Sequence, residues 1–111
     1  MKNERRHHYR REYSGRAYLT YEGRCRSDEI VEISEGGVKL RTAARIRPGK
    51  AVKVFIPLPA DRGWRLCMLK GHVVRRERHA IGQDNLAIEL LEDAGEGRKA
   101  LKAFIAVQQA A

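Results

Sequence analysis

The sequence predicts a mainly β domain: a small antiparallel barrel preceded by a polar arm and followed by one helix. Three observations carry this. Apolar and polar residues alternate in five or six short runs. Turn-forming residues separate those runs at intervals of roughly 8–12 residues. After Gly95-Glu96-Gly97 the apolar spacing changes from two to that of a helix.

Taken in order, residues 1–14 are charged and without period, and read as a mobile arm. From Arg16, Ala17, Leu19 and Tyr21 face one way and Tyr18, Thr20 and Glu22 the other, the mark of a half-buried strand. Glu22-Gly23 turns the chain into a second strand, about Cys25 to Ile33. Ser34-Glu35-Gly36-Gly37 breaks it, with two glycines free to take positive φ. Val38 and Leu40 mark a short third strand, and Arg47-Pro48-Gly49-Lys50 a turn. Val52, Val54, Ile56 and Leu58 alternate until Pro57 and Pro59 end the strand or place it on an edge. A long strand is expected over 64–76, a polar loop over 77–84 and a last strand through Leu86, Ile88 and Leu90. Ala100, Leu101, Phe104, Ile105 and Gln108 then recur as one face of a helix that plugs an open end of the barrel. The expected division is an arm at 1–14, a barrel at 15–94 and a helix at 95–109, within one domain.

Composition narrows the function. The 111 residues include 23 Lys and Arg against 14 acids, a net charge of +9. Arginines outnumber lysines 16 to 7. Guanidinium forks grip phosphate bidentately and stack on flat rings, so an arginine-rich surface favours phosphate and purine partners. The charge is polarised: residues 1–26 hold eight bases and three acids, whereas 84–96 hold five acids and no base. No stretch resembles a signal peptide or is apolar enough to span a membrane. With Cys25 and Cys67 isolated in apolar-patterned segments, two free, largely buried thiols in the cytoplasm are expected.

The arm and the first break then combine into a pattern. Arg6-His7-His8-Tyr9-Arg10 fits R-x-x-x-R, and Glu32-Ile33-Ser34-Glu35-Gly36-Gly37 resembles D/N-x-S-x-x-G. In this order, flanking the first hairpin, they resemble the motifs of a PilZ domain. Gly71-His72-Val73-Val74-Arg75 is similar to the family's late G-x-V-x-R strand, and Leu101, Phe104 and Ile105 fit its terminal helix. The resemblance spans about Glu4 to Val107. It implies a six-stranded antiparallel PilZ-type barrel that binds the bacterial second messenger cyclic di-GMP as a receptor or adaptor for a downstream protein partner, with no enzymatic activity and no cofactor. It further implies that Arg6 and Arg10 grip phosphates and guanine edges. Ser34, Gly36 and Gly37 would form the surface beneath the ligand, and position 32 would contact a guanine. Arg5 precedes the motif, where an additional arginine can favour a stacked pair of ligand molecules.

The chain departs from the family pattern at Glu32, where Asp or Asn is usual. Glutamate keeps a carboxylate to accept from a guanine Watson–Crick edge, but its extra torsion costs rotamer entropy, so weakened binding is expected. A degenerate domain that has lost the ligand and serves protein interaction is the alternative. A single-strand nucleic-acid binder is less favoured, because the charge concentrates in an arm rather than along a groove. His7 and His8 lack the further convergent ligands of a metal site. Ser34 has no nucleophile elbow around it. Trp64 is expected in the core or on its rim.

Overall fold

The computed structural model describes residues 11–91 and 95–110. Six strands form an antiparallel barrel: β1 (Arg11–Tyr21), β2 (Arg24–Ile33), β3 (Gly37–Thr42), β4 (Ala51–Ala60), β5 (Gly63–Ala80) and β6 (Gln83–Leu90). They are ordered β1-β2-β3-β6-β5-β4, and β4 returns to β1 to close the sheet. Helix α1 (Gly95–Ala110) follows and packs against β5 and β4.

Each strand buries one face as its alternation dictates. Leu19, Leu40, Val54, Ile56, Leu69, Val73, Leu86 and Ile88 meet in one core, joined by Leu101 and Ile105 from α1. At roughly 25 cal/mol per Å² of apolar area, this shared burial is what holds strand and helix together. The β1–β2 turn is two residues long, and both Glu22 and Gly23 take left-handed φ, +50° and +77°. That pairing matches the twist of the strands it joins. The glycines of the Ser34–Gly37 turn do not have positive φ, contrary to the sequence expectation. Gly37 is required instead for space, since a Cβ there would stand 2.8 Å from the Ile88 carbonyl oxygen of β6.

Other differences from the sequence reading have simple causes. β1 begins at Arg11 rather than after residue 14, because Arg11 and Glu12 pair with Ile33 and Glu32 through backbone bonds that need no apolar alternation. The segment 77–84 is not a loop: β5 runs to Ala80 and turns at Ile81-Gly82 directly into β6. Its polar sequence reflects a hairpin end solvated on both faces. Cys25 is exposed, lying outward opposite Thr20, whereas Cys67 is buried and its thiol donates to the Gly97 carbonyl at 2.8 Å. Burial pushes the Cys67 thiol pKa up. Residues 57–60 remain in β4, but β1 pairs with β4 only at Lys53–Phe55, so Pro57 and Pro59 sit where one side of the strand is unpaired.

Asp28 is the one buried acid of the barrel strands among the described residues, 3% exposed. Desolvation raises its carboxyl pKa above the ordinary aspartate range, opposed by a hydrogen bond from Thr42 and by the charges of Arg26 and Arg16. Arg26 Nε lies 3.6 Å from its near oxygen. The folded chain therefore holds this proton to higher pH than the unfolded chain does. The stability from the neutral acid is fully present below the unfolded pKa and is lost as pH rises through the raised folded value. Asp28→Asn is accordingly expected to melt above the wild type at pH 7, with the gap closing as pH falls towards about 4. Thermal melts across that range check it.

Candidate functional site

The strand registers place one row of residues across the outer surface of the barrel. Glu32 of β2 lies opposite Lys39 of β3, Lys39 opposite Ala87 of β6, and Ala87 opposite Arg75 of β5. Two bulges make this row possible. In β2 the inward positions Asp28 and Ile30 are followed by Ile33, with a register shift between Ile30 and Glu32. Without that extra residue Glu32 would point into the core. In β5 the inward Gly71 and Val73 are followed by a shift between Val73 and Arg75, which likewise turns Arg75 outward. An added residue that re-aims a side chain is a common use of a bulge beside a functional site.

A cavity of about 230 Å³ opens over this row. Glu32, Ser34 and Gly37 form one wall, Lys39 and Arg75 supply two cations, and Val74 and Ala87 supply apolar surface. Val74, the bulge residue, is 46% exposed. The cavity thus offers apolar surface beside a carboxylate and two bases, with Ala87 between Lys39 and Arg75. Arg75 is held in place by Glu77, Nε to Oε2 at 2.8 Å.

The Ser34–Gly37 turn is pinned by its own groups. The Ser34 N–H donates to the Gly37 carbonyl at 2.9 Å, and the Ser34 hydroxyl both donates to that carbonyl and accepts from the Gly37 N–H, each at 3.2 Å. The Leu90 N–H donates to the Gly36 carbonyl at 2.9 Å, tying the turn to β6. Ser34 therefore shapes the wall as well as lining it.

Of the residues expected at a site, the structure brings Glu32, Ser34 and Gly37 to the cavity. Gly36 contributes to the turn through its carbonyl and is not among the lining residues. Arg5, Arg6 and Arg10 lie outside the described residues. Lys39, Val74 and Arg75 were not expected as site residues. Their signal was present as two adjacent β-branched pairs, Ile30-Val31 and Val73-Val74, where strict alternation breaks. Among the described residues no three His, Cys, Asp or Glu side chains converge to hold a metal ion. No helix among them is long and apolar enough to cross a membrane.

Solved structures share this fold. Inhibitor of motility (MotI/DgrA) from Bacillus subtilis is 19% identical with a TM-score of 0.80, covering 95% of this chain and 51% of its own. The chain thus spans about half the length of that protein. The PilZ domain of YcgR from Escherichia coli, solved with c-di-GMP, is 12% identical with a TM-score of 0.63, covering 96% of this chain and 93% of its own. YcgR from the same organism in complex with c-di-GMP is 15% identical with a TM-score of 0.64, covering 96% of this chain and 46% of its own. No curated protein sequence matches the chain. Residues 4–107 match the family described as the PilZ domain, and the chain belongs to that family.

Proposed function

We propose that this domain is a cyclic di-GMP receptor that acts as an adaptor, its ligand seated on the Glu32–Lys39–Ala87–Arg75 row and clasped by Arg6 and Arg10. The observation that carries the reading is a register. Arg11 pairs with Ile33, one residue before Ser34, so the chain enters the barrel beside the cavity wall. In sequence Arg10 immediately precedes that paired residue and Arg6 stands five positions before it.

The chemistry of the site suits the ligand. A purine ring lies against Val74 and Ala87, the Glu32 carboxylate accepts from a guanine N1–H and N2–H, and Lys39 and Arg75 favour phosphate. A volume of about 230 Å³ holds one base with its phosphate, less than the roughly 300–1,000 Å³ of a complete ligand pocket. The rest of the ligand is left for Arg6 and Arg10, with Arg5 available to a second stacked molecule. An arm ordered by the ligand changes the surface offered to a partner, which is the adaptor step.

Glu32 sets the affinity. It shares its cross-strand position with Lys39, an opposite charge within side-chain reach. Shortening it to Asp draws the carboxylate back towards the strand and reduces the ordering cost. Calorimetry with cyclic di-GMP on the wild type and Glu32→Asp tests the reading. Binding by both, tighter in the variant by about threefold to tenfold, is expected, and the heat gives the number of ligands per chain. Binding by the variant alone identifies a degenerate member, and binding by neither overturns the receptor function.

A further inference from the structure

The opposite side of the barrel carries an outer face that a free β sheet does not ordinarily present. Three registers define it. Thr20 of β1, Lys53 of β4 and Lys70 of β5 form one row across the three strands. Tyr18, Phe55 and Met68 form the next. Beyond the end of β1 pairing, Pro57 stands opposite Leu66 and Pro59 opposite Trp64. The inner faces of these strands are already apolar and buried, through Val54, Ile56, Leu58 and Leu69. The β4–β5 ribbon is therefore apolar on both faces, yet Trp64 is 70% exposed and Leu66 57%. The expected place of Trp64 in the core or on its rim is thus corrected to the outer face. Contiguous apolar surface of this kind marks an interaction site, and Trp, Tyr and Met are the residues enriched in interface centres.

The charges beside it say what covers it. Lys53 and Lys70 lie directly opposite one another, a like-charge pair that costs stability in an isolated sheet. With Arg24 they line a cavity of about 530 Å³ where β1 and β4 separate. The acid among its described lining residues, Glu22, is engaged by Lys50. Arg24, Lys53 and Lys70 have no ion-pair partner among the described residues. Three cations against one acid thus adjoin one end of an apolar stripe.

We infer that the outer face of β1, β4 and β5 docks a partner protein through an amphipathic helix, its apolar side on Tyr18, Phe55, Met68, Leu66 and Trp64 and an acidic end over Lys53, Lys70 and Arg24. This names the surface and partner chemistry of the adaptor reading above and rests on it. The dimensions fit: Lys53 to Pro59 spans about 20 Å at roughly 3.3 Å per residue, the length of a helix of about 13 residues. A second copy of this chain fits less well, because a two-fold contact that brings the Lys53–Lys70 row onto itself sets cations against cations. An anionic bilayer is the competing occupant of a basic and aromatic face, and the vesicle comparison below separates it from a helix.

Trp64 is the only tryptophan, so its emission reports on this face directly. The full chain is titrated with a synthetic amphipathic peptide of about 14 residues, with leucine and phenylalanine along one face and glutamates in one terminal turn. The same peptide with lysines for glutamates, and phosphatidylglycerol vesicles, are the comparisons. The expected result is a saturable blue shift with the acidic peptide only. Lys53→Glu combined with Lys70→Glu weakens it about tenfold or more, and Leu66→Ser with Met68→Ser removes it, while thermal melts stay near wild type. Absence of a saturable shift, an equal shift with the lysine peptide, or a vesicle shift as large as the peptide's overturns the inference. Cyclic di-GMP calorimetry on the Leu66→Ser, Met68→Ser variant is expected to match the wild type. If the wild type gives no cyclic di-GMP heat but the peptide results hold, the docking surface stands and the receptor reading falls.

Discussion

Replacing Arg6 with alanine is expected to weaken cyclic di-GMP binding about 10- to 150-fold, and replacing Arg6 and Arg10 together to abolish measurable binding. The magnitude follows from the bonds lost. A hydrogen bond to a charged group contributes roughly 1.5–3 kcal/mol, and each 1.4 kcal/mol is tenfold in affinity. In the proposed complex Lys39 and Arg75 meet the ligand from the barrel surface, and Arg6 and Arg10 would supply the closing contacts. Arg6→Lys is expected to recover only part of the loss, because an ammonium neither forks onto a phosphate nor stacks on a purine. Calorimetry on the three variants, with unchanged thermal melts, checks the expectation. Equal affinities across the series would remove the clasp.

The second large effect falls on the fold and the site together. Gly37→Ala places a Cβ 2.8 Å from the Ile88 carbonyl oxygen, a backbone atom that cannot swing aside. The β3–β6 ladder must open where Gly37 pairs with Glu89, and the Ser34 bonds to the Gly37 N–H and carbonyl go with it. Overpacking of this kind costs about 1–3 kcal/mol, or a fall in melting temperature of about 4–13 °C for a domain of this size. Affinity for cyclic di-GMP is expected to fall as well, since the same turn is one wall of the cavity. A melting temperature within a degree of the wild type would show that the strands give way without cost, contrary to the packing described.

Much of this architecture is legible in the sequence because barrel strands obey a simple alternation. Leu19, Leu40, Val54 and Leu86 all fall on the expected inward face. Helix α1 is equally legible from the spacing of Leu101 and Ile105. The turn chemistry at Ser34 is readable as a break, but not the reason for Gly37, which depends on how near Ile88 of β6 comes from 51 residues later in the chain. The bulges escape for a related reason. A single extra residue changes the face of everything beyond it, and Val31 and Val74 look like ordinary strand residues until the partner strands are known. That is why Arg75 reads as part of a strand pattern rather than as a site residue.

The β4–β5 ribbon shows the opposite error. Trp64 belongs to the core by hydrophobicity alone, but its register with Pro59 places it past the last β1 pair, on a surface the barrel does not cover. Likewise Glu77, Arg78 and His79 hide the last residues of β5, because a strand paired through its backbone tolerates charge on both faces once it leaves the core. In both cases the sequence reports chemistry locally, whereas exposure is set by where the neighbouring strand ends.

The measurement that bears most directly on the central claim is a two-dimensional amide NMR titration of the full chain with cyclic di-GMP. The account predicts saturable shifts at Ser34, Gly37, Lys39, Val74, Arg75 and Ala87, with Leu66 and Met68 on the far face unmoved. Shifts confined to the far face, or no saturable shifts at all, would contradict it.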